Sequence, residues 1–511
     1  MKGLSSTVCF LVGSASDRRI TAGLLAALLL AFSGCEKEPP PDAPAPAVPT
    51  RKQAPARAQA PAPEAPVEVD HDRRAMERRA VEAVIWGIPA VNFDLMYQAM
   101  VRETHGGFNE VLFWSRLSNW RNQTLTPNPD VIYLMPFFDL SDGPIVLEIP
   151  PADDGVINGT IMDAWQTPLE DVGPAGVDKG AGAKYLILPP GHAGKIPAGY
   201  VALPSSTHHG YALLRSIPKG GGDAYVAQAV TYGRRVKLYP FAQAGNPPGT
   251  SFRDAIDVLY DATIPYDARF FEALDRFVQR EAWLGRDRVM IDMLRSIGIE
   301  KGKPFSPDEA AQAVLNDAAR EARALLETRY GRLFSPAYYE GTQWAVPAIQ
   351  DYIEGAQTGY ADPGRYPIDS RGEYFSFAFF TAKQLGEGQF YLMTIRDKDG
   401  QDFSGAKAYR LTVPPGVPVT QYWSVTAYDR QTHGLIRNLA WSSRSSQSPG
   451  LQHNPDGSVD IWFGPTAPAD KESNWVPTAS AGNFEVLFRF YGPQQPLFDK
   501  SWKLPDIEKV R

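Results

Sequence analysis

From Asn128 to Ser216, and again from Tyr374 to the end, the chain breaks into short apolar runs cut by Gly, Pro, Asn and Asp. This punctuation constrains the fold more than any other feature. Strands so short and so often interrupted suit a sandwich or barrel. Pro144-Ile-Val-Leu-Glu-Ile-Pro150 alternates, with Ile145, Leu147 and Ile149 on one side. Lys184-Tyr-Leu-Ile-Leu-Pro-Pro190 reads as another strand, ended by Pro. Five further strands are predicted at 390–395, 408–413, 420–428, 458–463 and 483–491, with turns at Pro414-Pro-Gly416, Pro455-Asp-Gly457 and Ala481-Gly482. No βαβ rhythm is present, which disfavours Rossmann and TIM architectures.

Helical periodicity occupies two other regions. Val81, Val84, Ile85, Ile88, Leu95 and Met96 recur at helical spacing within 71–100, with a kink or break expected at Gly87-Ile-Pro89. Residues 254–332 form the second region, in which Ser306-Pro-Asp-Glu309 is expected to start a helix with Ser306 at the cap.

The N-terminus reads as an export signal. Arg18 and Arg19 precede an apolar run from Ile20 to Phe32, and Ser33-Gly34 leads into Cys35. The run falls short of the roughly 20 apolar residues a bilayer span needs. A Cys at the exit is the acceptor that bacterial lipoproteins acylate. Residues 1–35 are therefore expected to be a lipoprotein signal and 36–67, rich in Pro and Ala, an extended linker. An N-terminal domain is expected over 68–253, a helical connection over 254–365 and a C-terminal domain over 366–511. The expected location is the periplasm or cell envelope, with the membrane reached through the Cys35 lipid. Glu36 rather than Asp after that Cys favours the outer membrane.

Cys9 and Cys35 are the two cysteines, so the folded part has no thiol, disulfide or Cys-ligated metal. A net charge of −7 lacks the basic footprint that nucleic acid requires. No Gly-x-Ser-x-Gly, Walker loop or His-Glu-x-x-His occurs, and the adjacent His208 and His209 would point to opposite faces of a strand. No cofactor or metal is implied.

Two clusters suit ligand chemistry. In Thr126-Pro-Asn128-Pro-Asp130-Val-Ile-Tyr133, Asn128 and Asp130 share one side of an extended chain, and Tyr133 joins them only if the chain bends. In Thr420-Gln-Tyr-Trp-Ser-Val-Thr-Ala-Tyr428-Asp429, the even positions form a hydroxyl-bearing row. That row fits a polar cleft or a solvated sheet face equally well. If two of Asp130, Asp139, Asp163 and Asp429 met in a cleft, glycosidase-type acid–base chemistry would follow.

The same residues carry a resemblance. Ile85-Trp-Gly-Ile-Pro89, Pro127-Asn-Pro-Asp130 with Tyr133, Phe138-Asp-Leu-Ser141 and Met162-Asp-Ala164 resemble the N-terminal part of a bacterial two-part family. Tyr422-Trp-Ser-Val-Thr-Ala-Tyr-Asp429, Asn454-Pro-Asp-Gly-Ser458, Lys471-Glu-Ser-Asn-Trp475 and Ser501-Trp-Lys503 resemble its C-terminal part. The two parts are domains of unknown function 1254 and 1214. The resemblance implies an α+β protein: two antiparallel β-sandwich, jelly-roll-like domains joined by a helical segment. Val131 departs from the family's usual Thr.

The expected function is a lipid-anchored envelope hydrolase or lyase for a carbohydrate-like or other small polar substrate, working between the sandwiches. The alternative is a non-catalytic ligand-binding or envelope assembly lipoprotein. Asp130, Tyr133 and Arg371 are the catalytic candidates, with Arg371 clamping an anionic group. Asn128, Tyr422, Tyr428, Asp429, Asn474 and Trp475 are the binding candidates. The oligomeric state is left open, a homo-oligomer included.

Overall fold

The structure is a computed structural model. It describes residues 70–379, 382–384, 386, 388–479 and 482–510. The signal, Cys35 and the Pro/Ala linker lie outside the described residues.

Helix and strand take comparable shares, 28% and 25%, and the class is α+β. The first sandwich pairs a six-stranded sheet with a four-stranded one. The larger sheet runs Phe252–Asp254, Glu110–Phe113, Ile132–Asp139, His209–Ser216, Ile157–Asp163, Pro168–Val172, antiparallel except for its first pair. The smaller contains Lys237–Pro240, Ile145–Ile149, Ala183–Leu188 and Val201–Pro204. Ile145, Leu147 and Ile149 enter the core between the sheets, as their alternation predicts, against Leu134, Phe138, Ala212 and Leu214 of the larger sheet.

The second sandwich is built the same way. Gln389–Thr394, Phe484–Pro493, Val419–Asp429 and Ser443–Ser445 form one sheet, in that order. Trp475–Pro477, Val459–Gly464, Tyr409–Val413 and Glu508–Lys509 form the other. All five strands predicted in this region are present, joined by three short ones that periodicity cannot detect. Trp423, Val425 and Ala427 pair with Phe490, Phe488 and Val486 and fill the space between the sheets.

Seven helices concern the argument: α1 (His71–Thr104), α2 (Asp223–Gly233), α3 (Ala268–Arg280), α4 (Arg288–Arg295), α5 (Glu309–Arg332), α6 (Gln350–Thr358) and α7 (Ile368–Phe377). Helix α1 is buried nearly all round from Ala83 to Asp94, so it is a central element rather than an amphipathic cover. It packs on the outward face of the six-stranded sheet, where Tyr133, Met135, Phe137, Tyr211 and Leu213 join its core together with α3, α5 and α7.

Three expectations need correction. Helix α1 is not broken: it runs through Pro89. Proline removes the N–H that Ile85 O would accept, and Gly372 of α7 approaches that carbonyl so closely that a Cβ there would lie 2.7 Å from it. Helix α5 is capped by Asp308, whose carboxylate accepts from Ala311 N at 2.8 Å, not by Ser306. Pro307 biases Ser306 towards extended backbone and moves the start forward. The helical stretch expected from residue 254 begins only at α3, because Phe252–Asp254 and Tyr260–Asp261 add as parallel strands to Glu110–Phe113 and Asn122–Gln123.

The described residues belong to one compact unit. Among them no helix is long and apolar enough to cross a membrane.

Candidate functional site

The second sandwich turns a polar and aromatic sheet face towards the first and meets its helix-covered face around Tyr133 and Arg215. In the second sandwich that face carries the even row: Tyr422, Ser424, Thr426 and Tyr428 are all buried. They lie directly opposite Tyr491, Arg489, Leu487 and Glu485. The row is therefore an internal wall and not a solvated face, with only Thr420 exposed. In the first sandwich, Tyr133 pairs with Arg215 on the face away from its core.

The segment before Tyr133 joins the two walls. Thr126 takes a left-handed φ of 42°, which supplies the bend that brings Asn128 and Tyr133 together. Asn128 N–H donates to Tyr133 Oη at 2.8 Å, and Asn128 Oδ1 accepts from Asp130 N at 3.0 Å. Asn128 Nδ2 donates to the second sandwich, to Tyr422 Oη at 3.0 Å and Tyr491 Oη at 2.8 Å. Those two phenol rings stack, centroids 4.5 Å apart. Tyr428 Oη donates to Pro127 O at 2.7 Å. Burial pushes the phenols of Tyr422, Tyr428 and Tyr491 up, so they act as neutral hydroxyls.

A cavity of about 60 Å³ lies at this junction. Asn128, Tyr133, Arg215, Tyr391 and Arg489 supply its polar lining. Phe377, Phe379, Met393 and Leu487 supply apolar wall. Arg489 Nη1 donates to Thr426 Oγ1 at 2.9 Å, and Nη2 donates to Thr126 O at 3.0 Å and to Tyr428 Oη. The Arg215 guanidinium sits 5.7 Å from the centre of the Tyr133 ring.

The structure brings Asn128, Tyr133, Tyr422 and Tyr428 together but separates the other candidates. Asp130 is partly buried beside the wall, at its Ser443 edge and outside the cavity lining, accepting from Ser443 Oγ at 3.1 Å. Burial pushes its carboxyl up, against the Ser443 hydrogen bond and the charges of Arg489 and Arg444. Arg371 is no clamp at this cavity. It is packed 4.3 Å from the Tyr360 ring centre and 5.2 Å from that of Tyr366, donates to Trp165 O, and acts electrostatically on buried Asp163. Asp429 Oδ1 caps a turn, accepting from Gln431 N at 2.8 Å and Thr432 N at 3.0 Å. Asn474 spends its amide on Gln452 O and Asp460 O, both at 2.9 Å. Trp475 Nε1 donates to Gly464 O at 3.0 Å on the outer sheet. Asp139 faces His209 at 3.5 Å, and Asp163 accepts from Ser206 Oγ at 2.6 Å. None of the four candidate carboxylates lines the cavity, so a glycosidase pair does not assemble there.

Sequence reasoning missed Arg215, Arg489, Tyr391 and Tyr491. A signal existed: each arginine follows an apolar run inside a strand, Tyr211-Ala-Leu-Leu-Arg215 and Val486-Leu-Phe-Arg489. A charge inside such a run must be paired or put to use.

The fold and this cavity define a class: two β-sandwiches sharing a helical layer, with a polar cavity at their junction. Residues 108–240 match the family model DUF1254 and residues 388–495 match DUF1214, each described as a protein of unknown function. The two-part resemblance read from the motifs thus holds in both halves and in the expected order. The crystal structure of the VPA0106 protein from Vibrio parahaemolyticus is similar at 17% identity and a TM-score of 0.52, covering 85% of this chain and 100% of that one. An uncharacterized protein from Burkholderia cenocepacia aligns at 13% identity and a TM-score of 0.39, covering 86% of this chain and 96% of that one. No curated protein matches the sequence.

Proposed function

We propose that this chain is an exported, lipid-anchored envelope protein that binds a small polar ligand in the cavity between its two sandwiches. The observation that carries the ligand reading is the lining itself. Two arginines, one amide, three phenols and an apolar wall converge on one cavity. Convergent polar groups in an otherwise apolar, buried cavity are the usual make-up of a ligand site. The export reading is supported by Arg18-Arg19, the Ile20–Phe32 run and Ser33-Gly34-Cys35.

Binding is favoured over hydrolysis or elimination. Acid–base catalysis needs a proton-transferring group within reach of substrate. Asp130, the strongest sequence candidate, faces Ser443 on the edge strand and lines no part of the cavity.

The test is a thermal-shift panel of sugars, amides, alcohols and carboxylates on the full acylated chain in detergent, with product analysis of each stabilising compound. A compound that binds the native state raises Tm by mass action and should be recovered unchanged. Consumption of the compound, abolished in Asp130→Asn, would replace this reading with an enzyme.

A further inference from the structure

We infer that the ligand of this cavity is a small monocarboxylate whose charge is met by Arg489; the inference rests on the reading of the cavity as a ligand site. Arg489 is 2% exposed and holds its place through Thr426, Thr126 and Tyr428, all neutral acceptors. Among the described residues its Nε–H has no hydrogen-bond partner. Among the described residues no carboxylate lies within ion-pair distance of it. Asp130 feels its charge, but burial favours that carboxyl's neutral form and its hydrogen bond goes to Ser443. A desolvated guanidinium without a counter-ion is unfavourable, and Arg215 adds a second positive charge to the same lining. The cavity therefore favours an anion.

Size and wall chemistry narrow the anion. About 60 Å³ admits roughly four water-sized groups, the scale of acetate or propionate rather than a sugar. A phosphate or sulfate would present oxygens on every side and need donors all round. Here one side of the cavity is Phe377, Ala378, Phe379, Met393 and Leu487, which suits a short alkyl tail. A planar carboxylate at the edge of Arg489, with its tail on that wall, satisfies both halves. Pro347, Tyr374 and Tyr391 are the half-buried apolar and aromatic members of the lining, so the way in passes between them.

The experiment titrates the full chain, in detergent at constant ionic strength, with acetate, propionate, acetamide, propionamide and phosphate, read by calorimetry and thermal shift. Acetate and propionate should bind saturably and the amides at least tenfold more weakly. Arg489→Met should weaken carboxylate binding at least tenfold. Should Arg489→Met fail to fold, Met393→Trp, which fills the cavity and leaves Arg489 in place, should abolish the same response. Amides or phosphate binding as well as propionate, with the response lost in Met393→Trp, would overturn the carboxylate assignment and leave the ligand site standing. No saturable response to any of these compounds, nor to the sugars and alcohols of the wider panel, would overturn both.

Discussion

His433 is held between two carboxylates. Its Nδ1 lies 2.8 Å from Glu485 Oε1 and its Nε2 lies 3.7 Å from Glu327 Oε1. Tyr330 Oη donates to Glu485 Oε2 at 2.7 Å, and Arg430 Nη1 sits 2.8 Å from Glu327 Oε2. Burial alone would lower the imidazole, but Glu485 and Glu327 outweigh it and raise it to about 9. A group raised on folding contributes stability in full below its unfolded value, about 6.5, and loses it as pH climbs through the folded value. The protein should therefore lose on the order of 3 kcal/mol between pH 6.5 and 10, measured as a falling urea midpoint. His433→Gln should flatten that fall. A wild-type midpoint unchanged across this range would refute the linkage. At the same scale, Asn128→Ala leaves the hydroxyls of Tyr422 and Tyr491 without their shared donor. A loss of about 2–3 kcal/mol is expected, read from the same urea curves. Asn128 was legible because it lies two residues from Asp130, on the same side of an extended chain and near Tyr133. Its partner Tyr491 was not, because 363 positions separate them and no local pattern links the two.

At the scale of elements, the contact between α1 and α7 depends on Gly372. A Cβ at that position would meet Ile85 O at 2.7 Å and Ile85 Cγ2 at 2.8 Å, and the carbonyl belongs to a buried helix that cannot give way. Gly372→Ala should cost about 1–3 kcal/mol through overpacking, seen as a lower midpoint with an unchanged slope. Helix α5 offers a milder test. Asp308→Ala removes the cap on Ala311 N and should cost about 1 kcal/mol, whereas Ser306→Ala should leave Tm unchanged. The longer strands of the second sandwich were readable because alternation survives over that length, whereas Ile132–Asp139, Ile157–Asp163 and His209–Ser216, buried on both faces, were not singled out. Ser443–Ser445 and Trp475–Pro477 were not readable, since three residues carry less than two periods. The Pro89 misreading has a physical cause. Proline removes one hydrogen bond, and the burial of α1 over most of its length outweighs the loss.

For the whole molecule, the shared helical layer and the junction at Asn128 tie the two sandwiches into one unit. Full-chain unfolding should follow one transition by tryptophan fluorescence and by far-ultraviolet circular dichroism. Two separated transitions would show that the sandwiches fold independently. The proposed anchor predicts that Cys35→Ser abolishes metabolic labelling with a radiolabelled fatty acid and releases the protein from the membrane fraction. Retained label would reassign the anchor.

The sequence alone determined the alternating strands, the turns between them and the broad placement of the helical stretches, and it carries the proposals for the export signal and the 126–133 segment. Each of these is written in neighbouring residues, through periodicity or backbone restriction. Tertiary structure alone decided that the Tyr422–Tyr428 row is a wall and that Arg371, Asn474 and Trp475 serve packing. It also decided that Arg215 and Arg489 meet at one cavity. Local pattern reports which side of a strand a residue occupies, but not what lies opposite. Here what lies opposite comes from the other sandwich, and only the burial of both faces against one another brings it there.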